Sequence, residues 1–271
     1  MTFEDLQSRI EVILPKLDAE IYRETIEVFE MILDDMWCES FTDFCSDIID
    51  KDKNYLIHPD VSALLIEILT EEMNNGNSSA TCLIGSLYYT GRIGEQNYEK
   101  GVYYYEKSAK MGDRQAQENL GYCYYYGRLG EVDFKKAYHY FVKGALDGHV
   151  NSLYKIGDMY LNGYYVEKDE VEAFNIYRHC FTLLEDNADL FGADVYIRLA
   201  DCYFYGTGTE INYQNALSFY QLAEKYYYPR ISDGDFMYTK QYYRSIEMQN
   251  KVREELGKNI PSYDWRNKTT N

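Results

Sequence analysis

Four histidines, His58, His139, His149 and His179, are the side chains best suited to hold a metal or relay a proton near neutral pH. None has the His-Glu-x-x-His spacing that sets two imidazoles on one helix face, and none accompanies a cysteine pair, so metal binding is not expected. The six cysteines, Cys38, Cys45, Cys82, Cys123, Cys180 and Cys202, show no Cys-x-x-Cys spacing and are read as reduced, buried thiols. Gly206-Thr207-Gly208 resembles a phosphate loop only superficially, since no strand pattern precedes it and no Gly-Lys-Ser/Thr follows. Asp34 and Asp35 are adjacent and splay apart on a helix, which suits solvated charge rather than a shared proton. The sequence therefore offers no catalytic residue, no metal site and no cofactor site. The chemistry that remains is recognition, carried by 31 tyrosines and a surplus of carboxylates.

The elements that must position those groups recur along the chain. Gly85, Gly121 and Gly157 stand 36 residues apart, each followed three residues later by Tyr88, Tyr124 and Tyr160. The same frames carry a second glycine at Gly91, Gly127 and Gly163 and a small residue at Gly101, Ala137 and Ala173. A fourth copy reads Ala200, Tyr203, Gly206 and Ala216, shifted by seven residues because extra chain lies around Thr182 to Asp194. A fixed period of this length predicts a helical solenoid. The position before the first glycine is aliphatic in every copy (Ile84, Leu120, Ile156, Leu199), and the one five before it is small or β-branched (Ala80, Ala116, Ser152, Val195), as a closely packed helix requires. The second glycine reads as the stop of a first helix. A second helix then carries Tyr104 and Tyr105, Tyr140 and Phe141, Ile176 and Tyr177, Phe219 and Tyr220, expected to face adjoining hairpins.

These residues resemble the Sel-one-like repeat family, relatives of the tetratricopeptide repeats, with the pattern Ala-x-x-x-Leu-Gly-x-x-Tyr, a glycine-bearing loop, then Lys-Ala-x-x-Trp-Tyr-x-Lys-Ala-Ala. The second copy fits best, through Ala116, Leu120, Gly121, Tyr124, Gly127, Lys136, Ala137, Tyr140, Phe141, Lys143 and Ala145. The first follows through Lys100, Gly101, Tyr104, Tyr105, Lys107 and Ala109. The third has Cys180 and Phe181 for the closing alanines, and the fourth has Ala200 for the glycine. The resemblance spans Ser78 to Tyr228. It implies an all-α fold, a right-handed α-α superhelix of helix-turn-helix repeats, and an adaptor or scaffold role without chemistry of its own. Some cysteine-rich relatives are linked to β-lactam binding, but their regular pairing of cysteines within each repeat is missing here.

Composition divides the chain unevenly. Residues 1–76 hold 19 acidic and 5 basic side chains, a net charge of −14 out of −18 for the whole chain, and only Tyr22 and Tyr55 of the tyrosines. The reading is an acidic helical region over 1–76 that caps the solenoid, repeats over 77–230, a capping helix over 231–257 and a frayed tail over 258–271. Helical patterns run from Phe3 to Leu14, Tyr22 to Met36, Phe41 to Ile49 and Val61 to Met73, with hairpins near 78–112, 114–148, 150–190 and 193–228, and a last helix over Met237 to Leu256. No run approaches a membrane span, and the opening residues lack a basic leader, so a soluble cytoplasmic protein is expected. The negative charge opposes sequence-unspecific binding to nucleic acid.

At about 100° per residue, positions one and five after the first glycine point away from the buried stripe. They are Ser86 with Thr90, Tyr122 with Tyr126, Asp158 with Asn162, and Asp201 with Tyr205. In related solenoids this is the concave surface, so Tyr122, Tyr126, Asp158, Asn162, Asp201 and Tyr205 form the candidate partner-binding ribbon, with Tyr122, Tyr126, Asp158 and Tyr205 expected to be open to solvent. Two roles fit: a scaffold holding a protein partner, or a bacterial immunity protein whose acidic surface covers a basic toxin or nuclease.

Overall fold

The computed structural model describes residues 1–34, 40–51, 56–185, 192–232 and 236–257. Asp35, Met36, Cys38, Tyr55, part of the extra chain after Thr182, and the tail from Lys258 lie outside them. Among the described residues the chain is all-α, without a strand. It divides into two compact units, Met1–Ala137 and Tyr138–Asn271.

In the first unit the four amphipathic patterns become α1 (Phe3–Ile13), α2 (Arg23–Leu33), α3 (Phe41–Lys51) and α4 (Pro59–Asn74). Local chemistry fixes their ends. Thr2 and Asp5 form a reciprocal capping box at α1, and His58 accepts the Asp60 amide through Nδ1 at 3.2 Å, with Pro59 as the first helical residue of α4. These helices enclose Leu6, Ile10, Phe29, Phe44, Ile48, Leu65 and Ile68, all fully or almost fully buried. The same apolar cluster continues into Ala80, Ile84 and Leu87 of α5 (Ser78–Thr90). The acidic region and the first repeat thus share one core. The charge step near residue 76 separates two surfaces without interrupting the packing.

Each repeat contributes two successive helices: α5 and α6 (Tyr98–Lys110), α7 (Arg114–Tyr125) and α8 (Phe134–Leu146), α9 (Val150–Asn162) and α10 (Glu170–Glu185), and α11 (Ala193–Tyr205) and α12 (Tyr213–Ser232). The second unit closes with α13 (Thr239–Glu255), preceded by one 3-10 turn. Each hairpin turn has the same wiring. The first helices of repeats one, three and four stop at Gly91, Gly163 and Gly206, whose φ of 75°, 70° and 73° lies where a Cβ is strained. Six residues later Asn97, Asp133, Asp169 or Asn212 caps the second helix with its side chain. The amide of that cap donates to the carbonyl of Tyr88, Tyr124, Tyr160 or Tyr203 at 2.8–3.0 Å. The sequence reading passed over this Asx position, although it recurs with the same period.

The cassette residues lie where their sizes require. Ala80, Ala116, Ser152 and Val195 are fully buried, as are Leu120 and Leu199. Leu120→Ala is expected to destabilise the chain by about 2–5 kcal/mol, as truncation of a buried leucine does. A urea midpoint equal to the parent's would contradict the packing described here.

Candidate functional site

Only half of the ribbon is open. In each unit the exposed ridge is a fifth position after the first glycine: in the first unit Tyr126 is 50 % exposed, and in the second Tyr205 is 59 % exposed and Asn162 is exposed as well. Tyr122 is half-buried and its ring stacks on Tyr126, 6.3 Å between centroids and 8° between planes. In repeat one Thr90 turns its hydroxyl back to the Ser86 carbonyl at 2.7 Å. Asn162 does likewise, donating to the Asp158 carbonyl at 2.7 Å.

Asp158 departs from expectation. It is 8 % exposed, and its carboxylate accepts from Arg198 Nε at 2.5 Å and Nη2 at 2.7 Å, from the Tyr177 hydroxyl at 2.9 Å and from Lys155 Nζ at 3.3 Å. The helical wheel placed it outward correctly for an isolated helix. The next hairpin supplies Arg198, whose fork covers the carboxylate and removes it from the surface. Burial works to raise the Asp158 pKa, but Arg198 beside it, its hydrogen bonds and Lys155 outweigh that and hold it below the usual value. Arg198 also lies over the Tyr154 ring at 4.3 Å and donates to the Asp194 carbonyl at 2.5 Å.

The arrangement repeats one frame later. Asp201, the counterpart of Asp158, accepts from the Tyr220 hydroxyl at 2.6 Å and from Arg244 Nη2 at 2.7 Å. Tyr177 and Tyr220 each stand twenty residues after their glycine position. Arg198 stands two before the next one, and Arg244 on α13 occupies the matching place. In that register Glu247 and Lys251, paired at 2.7 Å, take the positions of Asp201 and Tyr205. Hence α13 acts as the first helix of a fifth frame, although it lacks the glycine and tyrosine landmarks. Asp158 and Asp201 are thus each matched by an arginine from the first helix of the next frame, and Glu247 by Lys251 of its own helix.

Of the other candidates for chemistry, five cysteines and His58 have structural places. Burial pushes the Cys123, Cys180 and Cys202 thiols up to about 12, leaving them protonated, and five cysteines are free and buried. His58 is a helix cap, and the described residues contain no cluster of His, Cys, Asp and Glu able to hold a metal. Ser152 and Lys155 have a Ser-x-x-Lys spacing that the sequence reading overlooked. Ser152 is fully buried and Lys155 is engaged by Asp158, which is poor geometry for a nucleophile and its base.

Four segments match the Sel1 repeat, at residues 78–113, 114–149, 150–178 and 193–225. The chain belongs to the Sel1 repeat family. Two solved structures share its fold. A Sel1 repeat protein from Oxalobacter formigenes aligns with a TM-score of 0.57 at 17 % identity, covering 90 % of this chain and 93 % of that one. The protective antigen c5321 of uropathogenic Escherichia coli strains, which displays an SLR fold, aligns with a TM-score of 0.53 at 23 % identity, covering 84 % of this chain and 53 % of its own. No curated protein matches. No helix among the described residues is long and apolar enough to cross a membrane.

The Sel1 landmarks acquire physical reasons from the coordinates. The motif lysine lies over the ring of the motif tyrosine, Lys100 over Tyr88 at 4.9 Å and Lys136 over Tyr124 at 4.7 Å. That tyrosine stacks on the first aromatic of the paired helix, Tyr88 on Tyr104 at 5.8 Å and Tyr203 on Phe219 at 5.8 Å. The second aromatic meets its own hairpin as well as the next one, Tyr177 lying close to Arg198 and Cys202 of α11. Tyr105 and Tyr177 press against the Sel1 glycine of their own hairpin, where a Cβ on Gly85 or Gly157 would come within 2.8 Å or 2.6 Å of the ring.

Proposed function

We propose that this Sel1 repeat protein is a non-enzymatic interaction scaffold that holds a protein partner against the exposed first-helix ridge of its repeats. The observation that carries the reading is the ridge itself: Tyr126 in the first unit, and Asn162 and Tyr205 in the second, stay open while their neighbours one turn earlier are drawn into packing or ion pairs. Tyrosine combines a large apolar face with a polar tip and is enriched among interface residues that concentrate affinity. Sel1 repeats generally serve as protein–protein interaction scaffolds.

The acidic region favours a second reading, an immunity or inhibitor role against a basic toxin or nuclease. Arg9, Lys16, Arg23 and Lys51 each pair with a carboxylate of the same region, leaving exposed Glu11, Glu20 and Glu30 without a counterion in the described structure. A surface field of one sign raises encounter rates with a basic partner.

One experiment addresses both readings. The full chain captures its partner, identified by mass spectrometry, and binding is then compared for the parent and the Tyr126→Ala/Tyr205→Ala variant. The scaffold reading expects affinity to fall by about 30-fold or more, as loss of a strong contact residue does, with little change in melting temperature. Parent-like binding by the variant would remove the ridge from consideration. The inhibitor reading further expects association to slow steeply as salt rises from about 0.15 to 0.5 M, because exposed charges are then screened.

A further inference from the structure

Among the described residues no carboxylate pairs with Arg128. Three tyrosines hold it instead. Its Nε donates to the Tyr89 hydroxyl at 3.1 Å, and its guanidinium carbon lies 5.4 Å from the Tyr98 ring centroid and 5.5 Å from that of Tyr126. Tyr89 and Tyr98 pack together at 5.0 Å, and Tyr126 is backed by Tyr122 and Tyr125. The rings are therefore braced from behind while one side stays open: both Arg128 and Tyr126 are exposed. Arg92 holds the same place in repeat one, where it reaches the Ile49 carbonyl of α3.

We infer that Tyr89, Tyr98 and Tyr126 form an aromatic cation site in which Arg128 is a displaceable resident, and that a protein partner enters it with an arginine or methylated lysine side chain. The guanidinium already present demonstrates the chemistry the rings select, since aromatic faces attract a cation through the ring quadrupole and tolerate a planar fork. Displacement is within reach. One hydrogen bond to a neutral acceptor and two ring contacts at an exposed site together favour the closed state by about 10- to 300-fold, a factor that the other contacts of a partner can match. Charge favours such a ligand as well: exposed Glu95, Glu99 and Glu131 flank the rings in sequence, and the same unit carries the −14 of its first 76 residues. Tyr126 belongs to the ridge, so the inference rests on the scaffold reading and names the side chain that the ridge would receive.

The test needs no partner. The full-length parent and Arg128→Ala are titrated with N-acetyl-arginine amide, N-acetyl-trimethyllysine amide and, as a neutral control, N-acetyl-glutamine amide, while the tyrosine ring resonances are followed by NMR. In Arg128→Ala the two cationic probes should give saturable shifts at Tyr89, Tyr98 and Tyr126, with affinity at least about tenfold above the parent, the lower bound of the self-occupancy just given. A further Tyr98→Ala change should abolish the response, and the control should give none. No saturable shift in Arg128→Ala, or an equal response to the neutral probe, overturns the inference. If Arg128→Ala does not fold, Arg128→Gln replaces it; should both melt far below the parent, Arg128 is a structural strut and the inference is equally overturned. Failure here leaves the Tyr126→Ala/Tyr205→Ala partner experiment untouched, and failure of that experiment leaves the probe titration standing.

Discussion

Arg198→Ala is expected to lower the unfolding free energy by about 3–5 kcal/mol, the cost of leaving a largely buried partner charge uncompensated. The side chains of Arg198 and Asp158 are 20 % and 11 % exposed, and the pair is bidentate, so neither solvent nor a neighbour can replace the lost fork. Lys155 and Tyr177 would remain as single contacts to the carboxylate, which makes Arg198→Lys the milder change. The pH dependence follows from the sign of the shift. The folded Asp158 pKa lies below that of an unfolded aspartate, about 3.9. Its contribution is therefore complete above about pH 4 and is lost as pH falls through the lower folded value. Urea unfolding of parent and variant at neutral and acid pH checks both points: the difference between them should shrink in acid. A difference below about 1 kcal/mol at neutral pH would place the pair among exposed ion pairs of little energetic weight.

Tyr177→Ala is expected to cost a similar amount, about 3–5 kcal/mol, because the ring is fully buried and lies over Gly157. Its hydroxyl also supplies one of the donors to Asp158, so Tyr177→Phe should cost less, about 1–3 kcal/mol for the acceptor left short of a partner. Gly157→Ala sets two effects against each other. Alanine gains about 1 kcal/mol of helix propensity, but its Cβ would sit 2.6 Å from Tyr177 Cε1 and 3.2 Å from Ile176 Cγ2, and crowding of a packed core costs about 1–3 kcal/mol. The balance is destabilising in the parent and should turn stabilising in a Tyr177→Leu background, where the ring is gone. A double-mutant cycle measured by chemical denaturation reads that coupling. Additive effects would mean that Gly157 is needed for something other than the Tyr177 ring. Repeat four shows that another solution exists, since Ala200 and Tyr220 are both fully buried there.

Much of the architecture was legible because a solenoid repeats the same local decisions. Helix boundaries fell within a few residues of their patterns from Phe3 to Thr239, since capping residues, glycine stops and aliphatic spacing are all written in sequence over one or two turns. The ridge was legible in part for the same reason. Tyr126, Asn162 and Tyr205 point outward on their own helices, and nothing among the described residues covers them enough to hide them. Two features outside the reach of the sequence share a different cause. A helical wheel leaves Asp158 open and omits the glycine that Tyr105 and Tyr177 meet in their own hairpins, because it gives a direction but not what lies along it. For Asp158 the missing information was Arg198, 40 residues away. For Tyr177 it was the close approach of α10 to α9, which brings the ring onto Gly157.

By itself the sequence determined the repeat, its family, the alternation of first and second helices and the division of charge between the two ends. These depend on periodicity, on residue size and on backbone preferences that act over a few residues. Tertiary structure decided which polar groups remain available. Asp158 and Asp201 were claimed by arginines from the following helices, α13 became the first helix of a fifth frame without carrying its landmarks, and Arg128 was left among tyrosine rings instead of a carboxylate. The physical reason is that an ion pair or a ring contact depends on two groups meeting at a few ångströms, and that distance is set by how one hairpin packs on the next.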